Sequence, residues 1–284
     1  MANYVAGERK GRGISNFSVG GNLGGAVGPM LAVFGISRFG LKGTAILAVP
    51  AFLMAAFLLS QTKTLAGFAN EGAQATKAAM AAGQKDDWKG FGKLTAVTFL
   101  RSTLSIGMTT FIPLFWMSVL LQSDARSGTT TTIIAFAGAL STLIGGRLAD
   151  RLGFNRVIRS GLVMYIPCLL VIIFSRWVGL STIMLIPLAM SLNLAFSPSV
   201  ALGQKLLPNH VGLASGITMG LASSFGGVIS PILGKVGDAQ GLPTVLWILV
   251  SVAVVACVGS FFVPDAPETV KVPASSQAAS QKTN

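Results

Sequence analysis

Eight apolar runs, each long enough to cross a lipid bilayer, constrain the fold of this chain more than any other feature. A helix needs roughly 17–25 apolar residues to span the hydrocarbon core, and unpaired backbone polar groups are too costly there for open strands. We therefore expect an all-α fold, a polytopic membrane helical bundle of about eight transmembrane helices. The runs fall at about 14–36, 44–60, 94–121, 127–146, 157–175, 180–203, 211–234 and 243–263.

The composition agrees with lipid as the solvent of these helices. Hydrophobic residues make up 52% of the chain and charged residues only 11%, whereas soluble domains carry roughly 25% charged residues. The two cysteines both lie inside apolar runs, which excludes a secreted disulfide scaffold. The first dozen residues are polar and basic, so we expect no signal peptide.

The positive charge is arranged as a topology signal. The net charge of +12 comes from 21 Lys and Arg residues, and almost all of them lie between the apolar runs. If the N-terminus is cytoplasmic, fifteen of them fall in inside segments and five in outside loops, which satisfies the positive-inside rule. We expect a multi-pass membrane protein with both termini in the cytoplasm and no nucleic-acid partner.

Two segments interrupt the apolar pattern. Residues 61–93 hold four lysines among Ala, Gly and Gln before Lys93, which indicates a cytoplasmic linker between two membrane bundles. Residues 264–284 are rich in Pro, Ser and Gln, which is typical of a disordered tail.

The sequence offers little for catalysis or for a cofactor. It has one histidine, His210, and no zinc spacing, phosphate-binding loop or nucleophile–base set. We expect no enzymatic activity, no cofactor and no metal site.

Arg101 is the only charged residue well inside an apolar run. An arginine at membrane depth is costly and normally faces protein or a water-filled cavity, so it could bind an anionic group such as a phosphonate or carboxylate. Alternatively, its long stem could carry the charge back to the cytoplasmic headgroups. Ser105 and Thr109 lie on the same helix face. The further candidates for binding are Asn193, near the centre of its run, and Asn22.

Titratable acids are missing at membrane depth. None of the nine acidic residues lies deep in an apolar run, although a proton-coupled transporter usually needs a titratable group there. Any such group would have to lie in other helices.

Two glycine-rich runs about 200 residues apart resemble each other. SNFSVGGNLGGAVGPML at 15–31 aligns with GITMGLASSFGGVISPIL at 216–233 through Pro29 and Pro231. Gly24-Gly25 then falls on Gly226-Gly227. Internal repeats of this kind are typical of transporters.

One loop carries a family signature. GGRLADRLG at 145–153 resembles the G-x-L-A-D-R-x-G loop of the major facilitator superfamily, and it lies between two runs on the predicted cytoplasmic side. The basic pair that usually follows is replaced by Phe154-Asn155. The resemblance implies a role in conformational gating for the matching residues, Gly146, Asp150, Arg151 and Gly153.

The first glycine-rich run supports the same family. Ser15, Gly24, Gly28 and Pro29 resemble the fifth-helix motif of its drug–proton antiporters, in which small residues allow close helix contact. Gly24, Gly28 and Pro29 thereby become further gating candidates. The wider stretch GERKGRGISNFSVGGNLGGAVGPMLA resembles the fosmidomycin-resistance branch of the superfamily.

The resemblance implies that the chain holds helices five to twelve of a twelve-helix fold. Residues 1–60 would be the last two helices of the first bundle, 61–93 the central linker, 94–263 the six-helix second bundle and 264–284 the tail. The implied function is proton-coupled efflux of a drug or small organic anion, with protons and the lipid bilayer as partners. The alternative is a non-transporting fragment or subunit that needs a complementary fragment with the first four helices.

Overall fold

In a computed structural model, the chain is described at residues 48–62, 85–175 and 177–265. All regular structure in these ranges is helical, which confirms the predicted all-α membrane bundle. We number the helices α1 (Ala48–Ser60), α2 (Trp88–Ser118), α3 (Asp124–Leu152), α4 (Phe154–Phe174), α5 (Val178–Leu194), α6 (Phe196–Leu206), α7 (Val211–Ser215), α8 (Ala222–Gln240) and α9 (Leu242–Phe261). A π-helical segment, Gly216–Leu221, joins α7 to α8.

Five helical stretches of the described chain are long and apolar enough to cross a membrane. They match the last five predicted runs, with α5–α6 and α7–α8 each forming one stretch. The 31 residues of α2 reach about 46 Å at 1.5 Å per residue, and α1 is a shorter apolar helix. The predicted run at 14–36 lies outside the described residues. The stretches are Arg126–Leu152, Phe154–Phe174, Val178–Leu206, Val211–Gln240 and Leu242–Phe261.

Helix α2 begins inside the segment that the sequence assigned to the linker. It starts at Trp88 rather than after Lys93, because Asp87 caps it. The Asp87 carboxylate accepts a hydrogen bond from Gly90 N at 2.8 Å, which satisfies one of the amides left free at a helix start. The lysines of the first two turns gave this part of the helix its linker-like composition.

Small residues allow the helices around α2 to approach closely. A Cβ added at Gly226 of α8 would lie 2.9 Å from Ser102 O of α2, and one at Gly107 of α2 would lie 2.6 Å from a Leu249 methyl of α9. In a membrane this close packing replaces the hydrophobic effect as the force between helices. Gly226 of the second glycine-rich run therefore makes a close helix contact, whereas Gly24-Gly25 of the first run lies outside the described residues.

One predicted run is not a continuous helix. The run at 180–203 is interrupted at Ala195, between α5 and α6. Pro198 lacks the N–H that would bind Leu194 O, so the helical ladder is broken there. This break lies in the middle of the bundle, where α2, α3 and α4 all reach it.

Candidate functional site

Arg101 is buried at the break between α5 and α6. Its side chain is 6% exposed, and Nη1 donates a long hydrogen bond of 3.5 Å to Leu192 O. The guanidinium carbon lies 5.3 Å from the centroid of the Phe196 ring, within the range of a cation–π contact. The guanidinium thus points into the protein, towards α5 and α6, and not back to the headgroups.

The charge of Arg101 has no acidic partner among the described residues. An ion pair joins His210 Nδ1 and Asp86 Oδ2 at 2.7 Å, and Arg101 takes no part in it. Arg101 Nε is buried and has no hydrogen-bond partner in this part of the chain. A guanidinium has five N–H donors, so most of its capacity to bind an oxyanion is unused.

Helices α3 and α4 approach the break through small residues. Ser141 Oγ of α3 donates to Met190 O of α5. Gly145 of α3 packs directly on Leu194 O, and Gly161 of α4 packs directly on Ser191 O. The backbone carbonyls at the end of α5 are therefore surrounded by three helices.

The predicted polar stripe on α2 is only partly brought to this site. Ser105 is half-buried, one turn beyond Arg101. Thr109 is exposed, and its hydroxyl donates to Ser105 O and Ile106 O of its own helix, each at 3.1 Å. The turn of 100° per residue rotates Thr109 about 80° away from Arg101 over eight residues.

The two asparagine candidates have different outcomes. Asn193 is partly buried and its Nδ2 donates to Ala189 O at 2.9 Å. A Cβ added at Gly138 of α3 would lie 2.8 Å from this Nδ2, so the amide fills the gap between α5 and α3. Asn22 lies outside the described residues.

The four residues of the signature loop lie at the junction of α3 and α4. Gly146 is buried in α3, whereas Asp150 and Arg151 are exposed in its last turn. Gly153 alone connects the two helices, with φ of 94°, a backbone angle that residues with a side chain rarely adopt. The gating candidates Gly24, Gly28 and Pro29 lie outside the described residues.

Sequence reasoning missed several residues of this region. Phe196, Gly145 and Gly161 were not singled out, and the only available signal was the proline at 198, which membrane helices often tolerate. The π-helical segment also had no sequence signal. It includes buried Thr218, whose Oγ1 donates to Ala214 O at 2.7 Å, and π-helical turns are frequent at functional sites.

His210 has a partner that the sequence did not indicate. Besides the ion pair with Asp86, its ring lies 5.4 Å from that of Trp88, and Asn209 N donates to Asp86 Oδ1 at 3.1 Å. These contacts tie the chain before α2 to the loop between α6 and α7.

The comparisons with known proteins agree with this architecture. The sequence profile of the Major Facilitator Superfamily matches residues 1–231. The chain belongs to the major facilitator superfamily. This confirms the resemblance that the signature loop and the glycine-rich run predicted.

Two relatives are bacterial. The fosmidomycin resistance protein of Escherichia coli strain K12 is 26% identical over 270 residues, covering 93% of this chain and 65% of that protein. The uncharacterized MFS-type transporter YfnC of Bacillus subtilis strain 168 is 28% identical over 261 residues, covering 87% of this chain and 61% of that protein. The chain thus spans less than two thirds of the length of either relative.

A solved structure shows the same fold. The crystal structure of the major facilitator superfamily transporter FucP in the outward conformation superposes with a TM-score of 0.61 at 14% identity. The match covers 81% of this chain and 57% of that one. Together with the apolar helices, it establishes a multi-pass helical membrane protein.

Proposed function

We propose that this chain forms part of a secondary active transporter that exports a small organic anion or an anionic drug. Family membership and the relative named for fosmidomycin resistance support the class of activity. Arg101 is the observation that supports an anionic substrate, because it is a buried charge with unused donors.

The geometry at Arg101 suits a carboxylate or phosphonate. Oxyanions form short charge-assisted hydrogen bonds with a guanidinium, often with two donors at once. Leu192 O at 3.5 Å is a weak competitor for these donors, and the helix break next to it is a feature that transporters use at binding sites. Ser105 and Asn193 would contact the remainder of the substrate, with Thr109 and Asn22 further along its path.

We assign conformational exchange to the signature loop and the glycine-rich run. Gly153 is the only residue between α3 and α4. Because the connection is so short, we expect a shift of either helix to displace Asp150 and Arg151 in the last turn of α3. Gly146 is buried in the same helix, two turns before Gly153. Gly24, Gly28 and Pro29 would serve the same exchange in the first bundle.

Proton coupling would depend on groups outside the second bundle. Within the described chain, acidic side chains lie only near helix ends or between helices. We propose that protons are the coupling ion and that the carboxylate that binds them is supplied by the first bundle. The proposed location is the bacterial inner membrane with both termini in the cytoplasm, without enzymatic activity, cofactor or metal.

The second candidate function is a membrane fragment or subunit that transports only with a complementary fragment. The share of the relatives that the chain spans, 65% and 61%, favours this candidate. We expect the chain alone to insert in the membrane without conferring drug resistance, and co-expression of a fragment with four further helices to give activity.

The test is export of fosmidomycin from cells and its uptake into inside-out vesicles, with and without the complementary fragment. Arg101→Ala should abolish transport of the anionic drug. Arg126→Ala, which removes an exposed arginine from the first turn of α3, far from the signature loop, is the matched control and should leave transport within about twofold. Export unchanged by Arg101→Ala would contradict the anion site, and proton-driven export by the purified chain alone would contradict the fragment hypothesis.

A further inference from the structure

The two residues that depart from the family signature both make contacts at the α3–α4 junction. Phe154 lies under Lys205 of α6, with Nζ 4.6 Å from the ring centroid. Asn155 is 4% exposed, and its amide faces the chain that leaves α9. Both replacements thus have a structural partner in this molecule.

Asn155 binds three successive residues after α9. Its Nδ2 lies 3.1 Å from Val263 O, 2.9 Å from Pro264 O and 2.9 Å from Asp265 Oδ1. An amide has two hydrogens, so these acceptors share them. We call these four residues, Asn155 and Val263–Asp265, the tail anchor.

The chain turns inward at the tail anchor. Phe261 and Phe262 are 59% and 65% exposed, but Val263 is 3% exposed. A Cβ added at Gly90 of α2 would lie 2.6 Å from Pro264 Cγ, so the proline packs against the first turn of α2. This segment is therefore held between α2 and α4.

A second side chain of α4 strengthens the same contact. Arg159 Nε donates to Ser260 O at 3.2 Å and Nη2 to Phe261 O at 3.4 Å. The last carbonyls of a helix have no partner within it, and cations are favoured at that end. Helix α4 thus caps α9 as well as holding the chain beyond it.

We propose that the tail anchor couples residues 263–265 to the signature loop, so that the loop conformation controls whether this segment is held. Asn155 is the positioning residue, two residues after Gly153. Because Gly153 has φ of 94°, a change of backbone angle there moves Asn155 away from its acceptors. The tail anchor stabilises the loop conformation seen here, and release of residues 263–265 accompanies rearrangement of the loop.

The coupling can be measured without transport. Val263→Cys is introduced into a chain with Cys168→Ala and Cys257→Ala, and the rate of reaction with a membrane-impermeant maleimide is measured in membranes open on both sides. We expect slow labelling, since Val263 is buried, and labelling at least about tenfold faster when Gly153→Ala strains the loop.

The matched control is Gly241→Ala. Gly241 also connects two helices alone, with φ of 87° and ψ of 157° against 94° and 150° at Gly153, but it lies at the other end of α9. Gly241→Ala imposes a similar backbone strain far from the tail anchor, so labelling of Val263→Cys should stay slow. Equal acceleration by both substitutions would show general loosening and would overturn the proposal.

A side-chain exchange tests the role of Asn155 directly. Asn155→Asp places a carboxylate against three oxygen acceptors and should accelerate labelling of Val263→Cys about tenfold. Adding Asp265→Asn restores an amide–carboxylate pair between positions 155 and 265, whereas Val263 O and Pro264 O still face the carboxylate, so we expect a measurable but partial recovery of the protection. Absence of any recovery, with both variants folded, would contradict the assigned hydrogen bonds.

If Gly153→Ala does not fold, the coupling can be tested in the opposite direction, by weakening the tail anchor and measuring the mobility of the signature loop. A nitroxide at exposed Arg151 should become more mobile when Asp265→Ala weakens the tail anchor, and it should not respond to Asp238→Ala near Gly241. An unchanged spectrum with Asp265→Ala would overturn the coupling. These readouts are independent of substrate, so a chain that transports nothing would still decide the proposal.

Discussion

The adjacent glycines of α8 provide a sharp test of how α8 packs against α2. Gly226 faces α2, and an added Cβ would lie 2.8 Å from Ile106 Cγ1, 2.9 Å from Ser102 O and 3.0 Å from Ser102 Oγ. At Gly227 an added Cβ would meet nothing within 4 Å among the described residues. We predict that Gly226→Ala destabilises the protein and that Gly227→Ala does not.

The magnitude follows from these distances. An added methyl group at Gly226 would force α2 and α8 apart by a few tenths of an ångström, and overpacking of this kind costs about 1–3 kcal/mol. Both substitutions replace glycine by alanine inside one helix and gain about 0.5–1 kcal/mol from helix propensity. Because this gain is common to both, the difference in unfolding free energy between them should be about 1–3 kcal/mol.

Thermal unfolding of the purified protein in detergent measures this difference. For a unit of the size of this bundle, 1 kcal/mol corresponds to roughly 2–4 °C in Tm, so Gly226→Ala should unfold about 2–12 °C below Gly227→Ala. Equal Tm values would mean that α2 and α8 do not approach as closely as the structure shows, and the argument for packing by small residues would fail.

Three further predictions concern transport and topology. Arg101→Lys should restore only part of the export lost in Arg101→Ala, since an ammonium lacks the planar fork of donors; full activity would argue against bidentate binding of the anion. Asp150→Asn should slow transport with equilibrium binding changed less than a few-fold, measured by initial rates and by ligand titration; binding lost in parallel with transport would refute a gating role. Reporter fusions after Gln61 and Phe262 should report cytoplasm and one after Gln122 periplasm; a periplasmic signal after Gln61 would contradict the predicted topology.

The structure adds an argument to the topology prediction. Four segments assigned to the inside face by charge meet at one end of the bundle. Asp86 binds His210, Phe154 lies under Lys205, and Asn155 holds Val263. A single end of the bundle thus carries all four, although the side of the membrane on which it lies stays a prediction.

The sequence by itself determined the class of fold and the family. Spans of apolar residues can be read directly because the bilayer imposes their length, and every span predicted after residue 94 has a helix in the structure. The signature loop was equally local, since G-x-L-A-D-R-x-G occupies eight consecutive residues, 146–153. Boundaries were predicted less accurately where polar residues occur inside a helix, as at 88–93, because the contact of Asp87 with the first turn, and not hydropathy, sets the start of α2.

Only the tertiary structure decided what the buried polar groups face. Arg101 could have turned to the headgroups or into the protein, and the choice depends on Leu192 and Phe196, about 90 residues away along the chain. The role of Asn155 depends on acceptors 108–110 residues away. Hydrogen bonds and close glycine contacts act over a few ångströms between helices, and neither composition nor periodicity along one helix records which neighbour lies at that distance.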